Sequence, residues 1–143
     1  MLVREWMTKD PITVGPHTSI FRAWKLMKDR RIRHLPVMED GSLVGLVTDR
    51  DLRLVLPSPA TSLEAHELNY LLEKLTVAEA MTKDVITTTP SASIAEATRT
   101  LLRNRIGALP VLAGAILVGI PTRADALEVL SSVTAAGGMA RVA

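Results

Sequence analysis

Residues Val3–Ile20 read VREWMTKDPITVGPHTSI, and Val77–Ile94 read VAEAMTKDVITTTPSASI. Further on, Arg31–Val37 (RIRHLPV) is answered by Arg105–Val111 (RIGALPV), and Ser42–Leu52 (SLVGLVTDRDL) by Ile116–Ala126 (ILVGIPTRADA). Met7 and Met81, Pro36 and Pro110, Gly45 and Gly119, and Asp51 and Asp125 are each about 74 positions apart, so the register between the copies never slips. Over Val3–Leu52 roughly 22 of 50 positions match their counterparts, far above the few per cent that chance gives. A repeat of this size is marginal for a private core and is expected to pack on its copy. The junction between copies is then the place to look for a site.

Composition narrows the class. The core must be aliphatic, because 48% of the 143 residues are hydrophobic while only 3% are aromatic. A formal net charge of +2 is too small to argue for nucleic acid, and two Trp, one Tyr and one Phe supply few stacking platforms for single strands. The absence of Cys removes disulfides, thiolate chemistry and Cys-based zinc sites. The opening MLVREWMTKD carries charge at once and lacks the apolar run of a signal peptide, and no stretch approaches the length needed to span a bilayer. A cytoplasmic location is the expectation.

Each repeat reads as strand, helix, strand, strand, helix. Ile12-Thr13-Val14 is a short β-branched strand ended by Gly15-Pro16. Ile20, Ala23, Trp24 and Met27 then fall at helical spacing behind a Thr18 or Ser19 cap. In the second copy Ile94, Ala97 and Leu101 repeat the face, and Ser93 with Glu96 forms a capping box. Arg22 replaces that Glu in the first copy, so its cap is expected to be weaker. Arg33–Met38 and Leu43–Thr48 are strands joined by Glu39-Asp40-Gly41-Ser42, a hairpin signal because Asp and Gly tolerate positive φ. Ala113-Gly114-Ala115 takes that place in the second copy. Both copies then enter a helix at Thr48-x-x-Asp51 and Thr122-x-x-Asp125. Residues 1–56 and 77–134 are read as the two domains and 57–76 as a linker, with 135–143 as a flexible tail. Within the linker Pro57–Ala60 is a breaker, Ser62 a cap, and Leu68, Leu71, Leu72 and Leu75 a stripe expected to pack against the pair.

Met-Thr-Lys-Asp (Met7–Asp10, Met81–Asp84), Leu-Pro-Val (Leu35–Val37, Leu109–Val111) and Gly-x-x-Thr-x-x-Asp (Gly45–Asp51, Gly119–Asp125) recur in order, twice, at constant spacing. This pattern, over about residues 1–130, resembles the CBS domain family, the small modules named after cystathionine β-synthase. The resemblance implies an α+β fold: two β-α-β-β-α units packed with pseudo-twofold symmetry, joined by a helical linker. It also implies a regulatory rather than catalytic module, a Bateman-type pair whose two clefts sense adenine nucleotides. The ligands it implies are ATP, ADP, AMP or S-adenosylmethionine, with no prosthetic group.

The residues are compatible with that chemistry. A carboxylate can accept from both hydroxyls of a ribose, which points to Asp51 and Asp125. Thr48 and Thr122 can cap the following helix, whose N-terminus favours anions. The plainer alternative is that these Thr are only caps and the Asp only partners of the helix dipole. Adenine suits an aliphatic slot with exposed backbone. Ile12, Thr13, Val85, Ile86, Pro36, Ala108 and Pro110 are the candidates, the prolines being expected at a strand edge or start because they lack a donor. Arg33, His34, Arg50 and Arg123 are the candidate phosphate contacts. Arg33 and His34 become Gly107 and Ala108 in the second copy, and Val47 becomes Pro121, so the two clefts are expected to be unequal.

No enzyme inventory is present: His17, His34 and His66 lack metal-ligand spacing, and there is no nucleophile elbow or phosphate-binding glycine loop. The surplus apolar residues Phe21, Trp24 and Leu26, with Leu52, Val55 and Leu56 and Leu127 and Leu130 on the last helix of each repeat, lead to the expectation of a homodimer, unless the linker helix covers them. The alternative to a sensor is a structural dimerisation module with vestigial clefts. A downstream regulated protein is not identified by the sequence.

Overall fold

The computed structural model describes residues 1–55 and 65–135, so the Pro57–Ala60 breaker, the Ser62 cap and the tail from Ala136 lie outside the described residues. In chain order the elements are α1 (Val3–Trp6), β1 (Thr8–Lys9), α2 (Ile20–Arg30), β2 (His34–Glu39), β3 (Ser42–Thr48), α3 (Asp49–Val55), α4 (Ala65–Lys74), a 3-10 turn (Val77–Glu79), α5 (Ile94–Asn104), β4 (Val111–Ala113), β5 (Ile116–Ile120) and α6 (Arg123–Ala135). They form two compact units that do not follow the repeats in order. One is Pro11–Val85; the other joins Met1–Asp10 to Ile86–Ala143. Each repeat therefore lends its leading segment to the sheet of the other.

In the Pro11–Val85 unit, β2 and β3 pair antiparallel from His34↔Thr48 to Glu39↔Ser42. Asp40 (φ 50°) and Gly41 (φ 78°) close the hairpin, as their tolerance of positive φ requires. Val14 bridges Val37 in parallel on one side, and Thr82 bridges Leu46 on the other. Only Val14 of the expected Ile12–Val14 strand is paired, through Val14 N–H to the Pro36 carbonyl (3.1 Å) and Met38 N–H to the Val14 carbonyl (2.8 Å). Pro36 thus lies within the sheet and not at its edge. Its ring nitrogen donates nothing, so the parallel ladder stops there.

Ile20, Ala23 and Met27 of α2 are buried with Leu35, Val37, Val47 and Leu52. Trp24, expected on the same face, is 38% exposed, with the Lys28 ammonium 4.4 Å from its ring centroid. Of the expected linker stripe, Leu72 is buried in this cluster and Leu68 and Leu75 pack against it, while Leu71 falls outside it, beside His66, Glu67 and Tyr70; Val77 is also buried in the cluster, and Phe21 and Leu26 pack against it.

In the other unit the sheet order is β1-β5-β4, with Thr8 opposite Ile120 and Lys9 opposite Gly119. Thr88 bridges Val111 as Val14 bridges Val37. Val3, Ala97, Leu101, Leu109 and Val111 form its core. β4 is half as long as β2, and Pro121 explains why. Where Leu35 pairs with Val47, Leu109 can donate to the Pro121 carbonyl (3.0 Å) but receives nothing back. Pro110, the counterpart of Pro36, stands directly before Val111 at the start of β4, as expected, its carbonyl accepting from Thr88 N–H (3.0 Å).

The helix caps correct one expectation. Ser19 Oγ accepts from Arg22 N–H (3.1 Å) and Ser93 Oγ from Glu96 N–H (3.0 Å), so the two caps are alike. No return bond from Glu96 exists among the described residues. The reach-back is made instead by Glu79, which accepts from Thr76 N–H (2.9 Å), and by Glu5, which accepts from Leu2 N–H. Both helices end on a left-handed arginine, Arg31 (φ 53°) and Arg105 (φ 52°). No described helix is long and apolar enough to cross a membrane.

Candidate functional site

Three stretches of chain converge at the end of β3. Thr48, its last residue, stands opposite His34, the first of β2. On the far side of β2, Val14 is held beside Val37, which places Thr13 and Ile12 alongside the Pro36 end of the strand. Because Pro36 cannot donate, nothing extends the ladder to them. Among the described residues the backbone groups of Ile12 and Thr13 make no hydrogen bond. Thr13 is exposed and Ile12 half-buried against the core. The same arrangement recurs with Thr88 beside Val111, which leaves the backbone of Ile86 and Thr87 unbonded; the Ile86 side chain is 38% exposed. Thr87 lies in the second copy at the repeat spacing from Thr13.

The Thr-x-x-Asp elements close on themselves. Thr48 N–H donates to Asp51 Oδ2 (2.9 Å), and Asp51 N–H donates to Thr48 Oγ1 (3.1 Å). Thr122 and Asp125 repeat this at 2.8 and 3.3 Å. The capping role is therefore present in full. It occupies one oxygen of each carboxylate; among the described residues, Oδ1 of Asp51 and of Asp125 accepts nothing. Both carboxylates are half-buried, so each is held rigidly with one oxygen available.

The first turn of α3 offers little to a phosphate. Asp49 N–H donates to the Arg33 carbonyl (3.0 Å), Arg50 N–H to Asp49 Oδ1 (2.9 Å), and Asp51 N–H to the Thr48 hydroxyl. Recognition of an anion there falls to side chains. Arg50 is exposed on this turn, one residue before Asp51, and His34 is half-buried opposite Thr48. Arg33 lies elsewhere: with Trp24, Met27, Lys28, Ile32, Asp49 and Arg53 it lines a groove between α2 and α3 of about 240 Å³. Arg53 ties up Asp49 there at 3.2 Å, an i,i+4 pair legible in the sequence but not read from it. In the second copy Arg123 turns its Nε–H to the Ile106 carbonyl (3.2 Å). Pro36, Pro110 and Ala108 are fully buried, and Val85 is half-buried.

The fold that carries these residues is shared with known proteins. The CBS domain model matches residues 3–58 and 77–132. A CBS domain-containing protein of Dictyostelium discoideum is 33% identical over 135 residues, covering 93% of either chain. Among solved structures, CBSX2 in complex with AMP superposes with a TM-score of 0.77 at 30% identity, covering 93% of this chain and 98% of that one. The CBS domain pair of protein MJ0100, in complex with 5′-methylthioadenosine and S-adenosyl-L-methionine, gives 0.78 at 26% identity, covering 94% and 98%. The chain belongs to the CBS domain family and carries two copies of the domain.

Proposed function

We propose that the chain is a regulatory module that binds an adenine nucleotide, or a related adenosyl ligand, at its two Thr-x-x-Asp elements. One observation carries this reading. In both units a rigid carboxylate oxygen, at Asp51 or Asp125, is left available near a stretch of unbonded backbone, at residues 12–13 or 86–87. The oxygen suits the paired hydroxyls of a ribose, and the backbone suits the polar edge of a base flanked by Ile12 or Ile86. The adenosine compounds in the related CBSX2 and MJ0100 structures support the same ligand class. The chain supplies recognition, and ligand occupancy is the signal passed to a regulated protein. Thermal unfolding with AMP, ADP, ATP and S-adenosylmethionine tests it. A ligand at 100 times its Kd stabilises the folded chain by about 2.7 kcal/mol, a rise of several degrees. Absence of any shift at millimolar ligand would remove the sensor reading.

A second reading, a homodimerisation module, is favoured by the helices of the second repeat. Leu102 of α5 is 72% exposed, and Leu127, Leu130 and Val133 of α6 are 65, 47 and 43% exposed. A closed dimer through these helices is compatible with sensing and is the proposed assembly.

A further inference from the structure

We infer that the groove between α2 and α3 docks an acidic segment of another protein, with an apolar side chain seated on Trp24 and carboxylates paired to Lys28, Arg33 and Arg53. The inference does not depend on the nucleotide reading. Of the residues lining the groove, Met27 is buried in the core cluster and Ile32 packs against it, as the fold requires. The others face outward. Lys28, Arg33 and Arg53 are exposed cations, set against one carboxylate, Asp49. Asp49 is held by Arg53 at 3.2 Å, but both side chains are open to solvent, so the pair is weak and easily exchanged. Among the described residues Arg33 makes no ion pair, and the Lys28 ammonium rests 4.4 Å from the Trp24 ring centroid. Trp24, 38% exposed, thus brings an apolar ring and a cation to the same rim.

The repeat supplies an internal control. Met27 and Ile32 stay aliphatic in the second copy, as Leu101 and Ile106. The outward residues do not stay: Trp24, Lys28, Arg33 and Arg53 are answered by Thr98, Leu102, Gly107 and Leu127. Packing the helices of a repeat therefore needs neither the tryptophan nor the cations, and their gathering belongs to the first copy alone. A second copy of this chain is a poor occupant. Like grooves would set cations against cations, and the exposed Leu102 and Leu127 would bury Lys28 and Arg53 without a counter-charge. Carboxylates on a partner remove that cost, and charge complementarity then sets the choice of partner and the rate of encounter. Trp and Arg are also the residues on which interface energy most often concentrates.

Fluorescence anisotropy of a labelled glutamate-rich peptide carrying a pair of leucines, titrated with the full chain, tests this. Binding should saturate, weaken with added salt, and weaken at least tenfold when the peptide's glutamates become glutamines. Lys28→Glu with Arg53→Glu should weaken it at least tenfold. Reversing as many exposed charges on α5, by Arg99→Glu with Arg103→Glu, should change it less than threefold. In a Trp6→Phe chain, where Trp24 is the one tryptophan, the peptide should shift the emission, a readout that leaves the groove unaltered. Equal losses in the two charge-reversed chains would reduce the effect to net charge and overturn the inference. So would a lower mass by light scattering for Lys28→Glu with Arg53→Glu, which would give the groove to a second copy. Tighter binding of a single-stranded oligonucleotide than of the peptide, lost in that same variant, would give it to nucleic acid instead. A peptide that fails to saturate at millimolar concentration, or leaves Trp24 emission unmoved, also overturns it.

Discussion

Met81 lies across the backbone of Gly45 so closely that a Cβ built there would overlap its Sδ and sit 2.9 Å from its Cγ. Met7 covers Gly119 in the same way. The Met-Thr of one repeat is thus seated on the Gly-x-x-Thr of the other, and the two recurring sequence markers are the two halves of one contact. Thr82 N–H donates to the Leu46 carbonyl (2.9 Å) and Leu46 N–H to the Thr82 carbonyl (3.0 Å), fixing the sulfur over the glycine and holding β3 where it delivers Thr48 to its site.

Gly45→Ala and Gly119→Ala should each destabilise the chain by about 1–3 kcal/mol, through forced overpacking. The cost is expected to be larger at Gly119, where the Thr8 carbonyl oxygen would be 2.9 Å away, against 3.1 Å for that of Thr82 at Gly45. A methionine side chain can move, but a paired backbone carbonyl cannot without loss of its bonds. Urea unfolding of Gly45→Ala, Met81→Ala and the double variant should show coupling, with the second change recovering part of the first loss. Additive losses would mean that the contact is not the source of the cost.

The exchange of leading segments makes a specific statement about fragments. A peptide of residues 1–56, the first repeat as the sequence defines it, lacks Leu72, Val77, Met81 and Thr82, all of which belong to the unit built around β2 and β3. A peptide of residues 11–85 contains them. Circular dichroism with denaturant titration should find a cooperative transition in the second and none in the first. Equal behaviour of the two would show that the compact units carry no independent stability.

The duplication, the hairpins and the helix faces were legible because each depends on local spacing. Ile20, Ala23 and Met27 declared their burial by period, and Asp40-Gly41 its turn by the φ those residues tolerate. The exchange of Met7 and Met81 was not legible, since identical copies of a segment fit either partner equally well as far as sequence shows. Trp24 falls on the stripe by spacing and among the surplus apolar residues by crowding, since a period of 3.6 leaves it at the margin, and the choice between burial and a Lys28 contact is made by tertiary packing. At the site, Thr48 and Asp51 were found by pattern. The closing of the α3 first turn by Asp49 and the Arg33 carbonyl needed coordinates, because it depends on where β2 begins.

α4 is a core element and not a tether. Leu72→Ala should cost about 2–4 kcal/mol, since its side chain is buried in the cluster with Ile20 and Leu35. Tyr70→Ala, two residues earlier on the same helix and 60% exposed, should stay within about 0.5 kcal/mol. Chemical denaturation of both variants separates the roles; a small effect at Leu72 would release α4 for a partner.

The cap and the proposed ribose contact share Asp51 but use different oxygens. Thr48→Ala removes the acceptor for Asp51 N–H and should cost about 0.5–2 kcal/mol of stability. Asp51→Asn retains an oxygen for Thr48 N–H and should cost less, yet should reduce the thermal shift by AMP because the amide is a poorer acceptor for two hydroxyls. Loss of stability without loss of ligand response in Asp51→Asn would return this residue to a purely capping role.

The surplus apolar surface now has an address. In the first repeat Phe21 and Leu26 pack against the core cluster that also takes in Leu68, Leu72 and Leu75, and the α2–α3 groove carries Lys28 and Arg53. The repeat counterparts of Lys28 and Arg53 are Leu102 and Leu127, both largely exposed. Charge in one repeat and leucine in the other point to α5 and α6 as the surface a second copy would cover. Light scattering at micromolar concentration should give twice the 15.5 kDa of a single chain. Leu127→Glu combined with Leu130→Glu should halve that mass, and unfolding should become independent of protein concentration. The fold should survive, since both side chains lie outside the core. A wild-type chain that scatters as a monomer, or a dimer indifferent to the double change, would place the interface elsewhere or remove it.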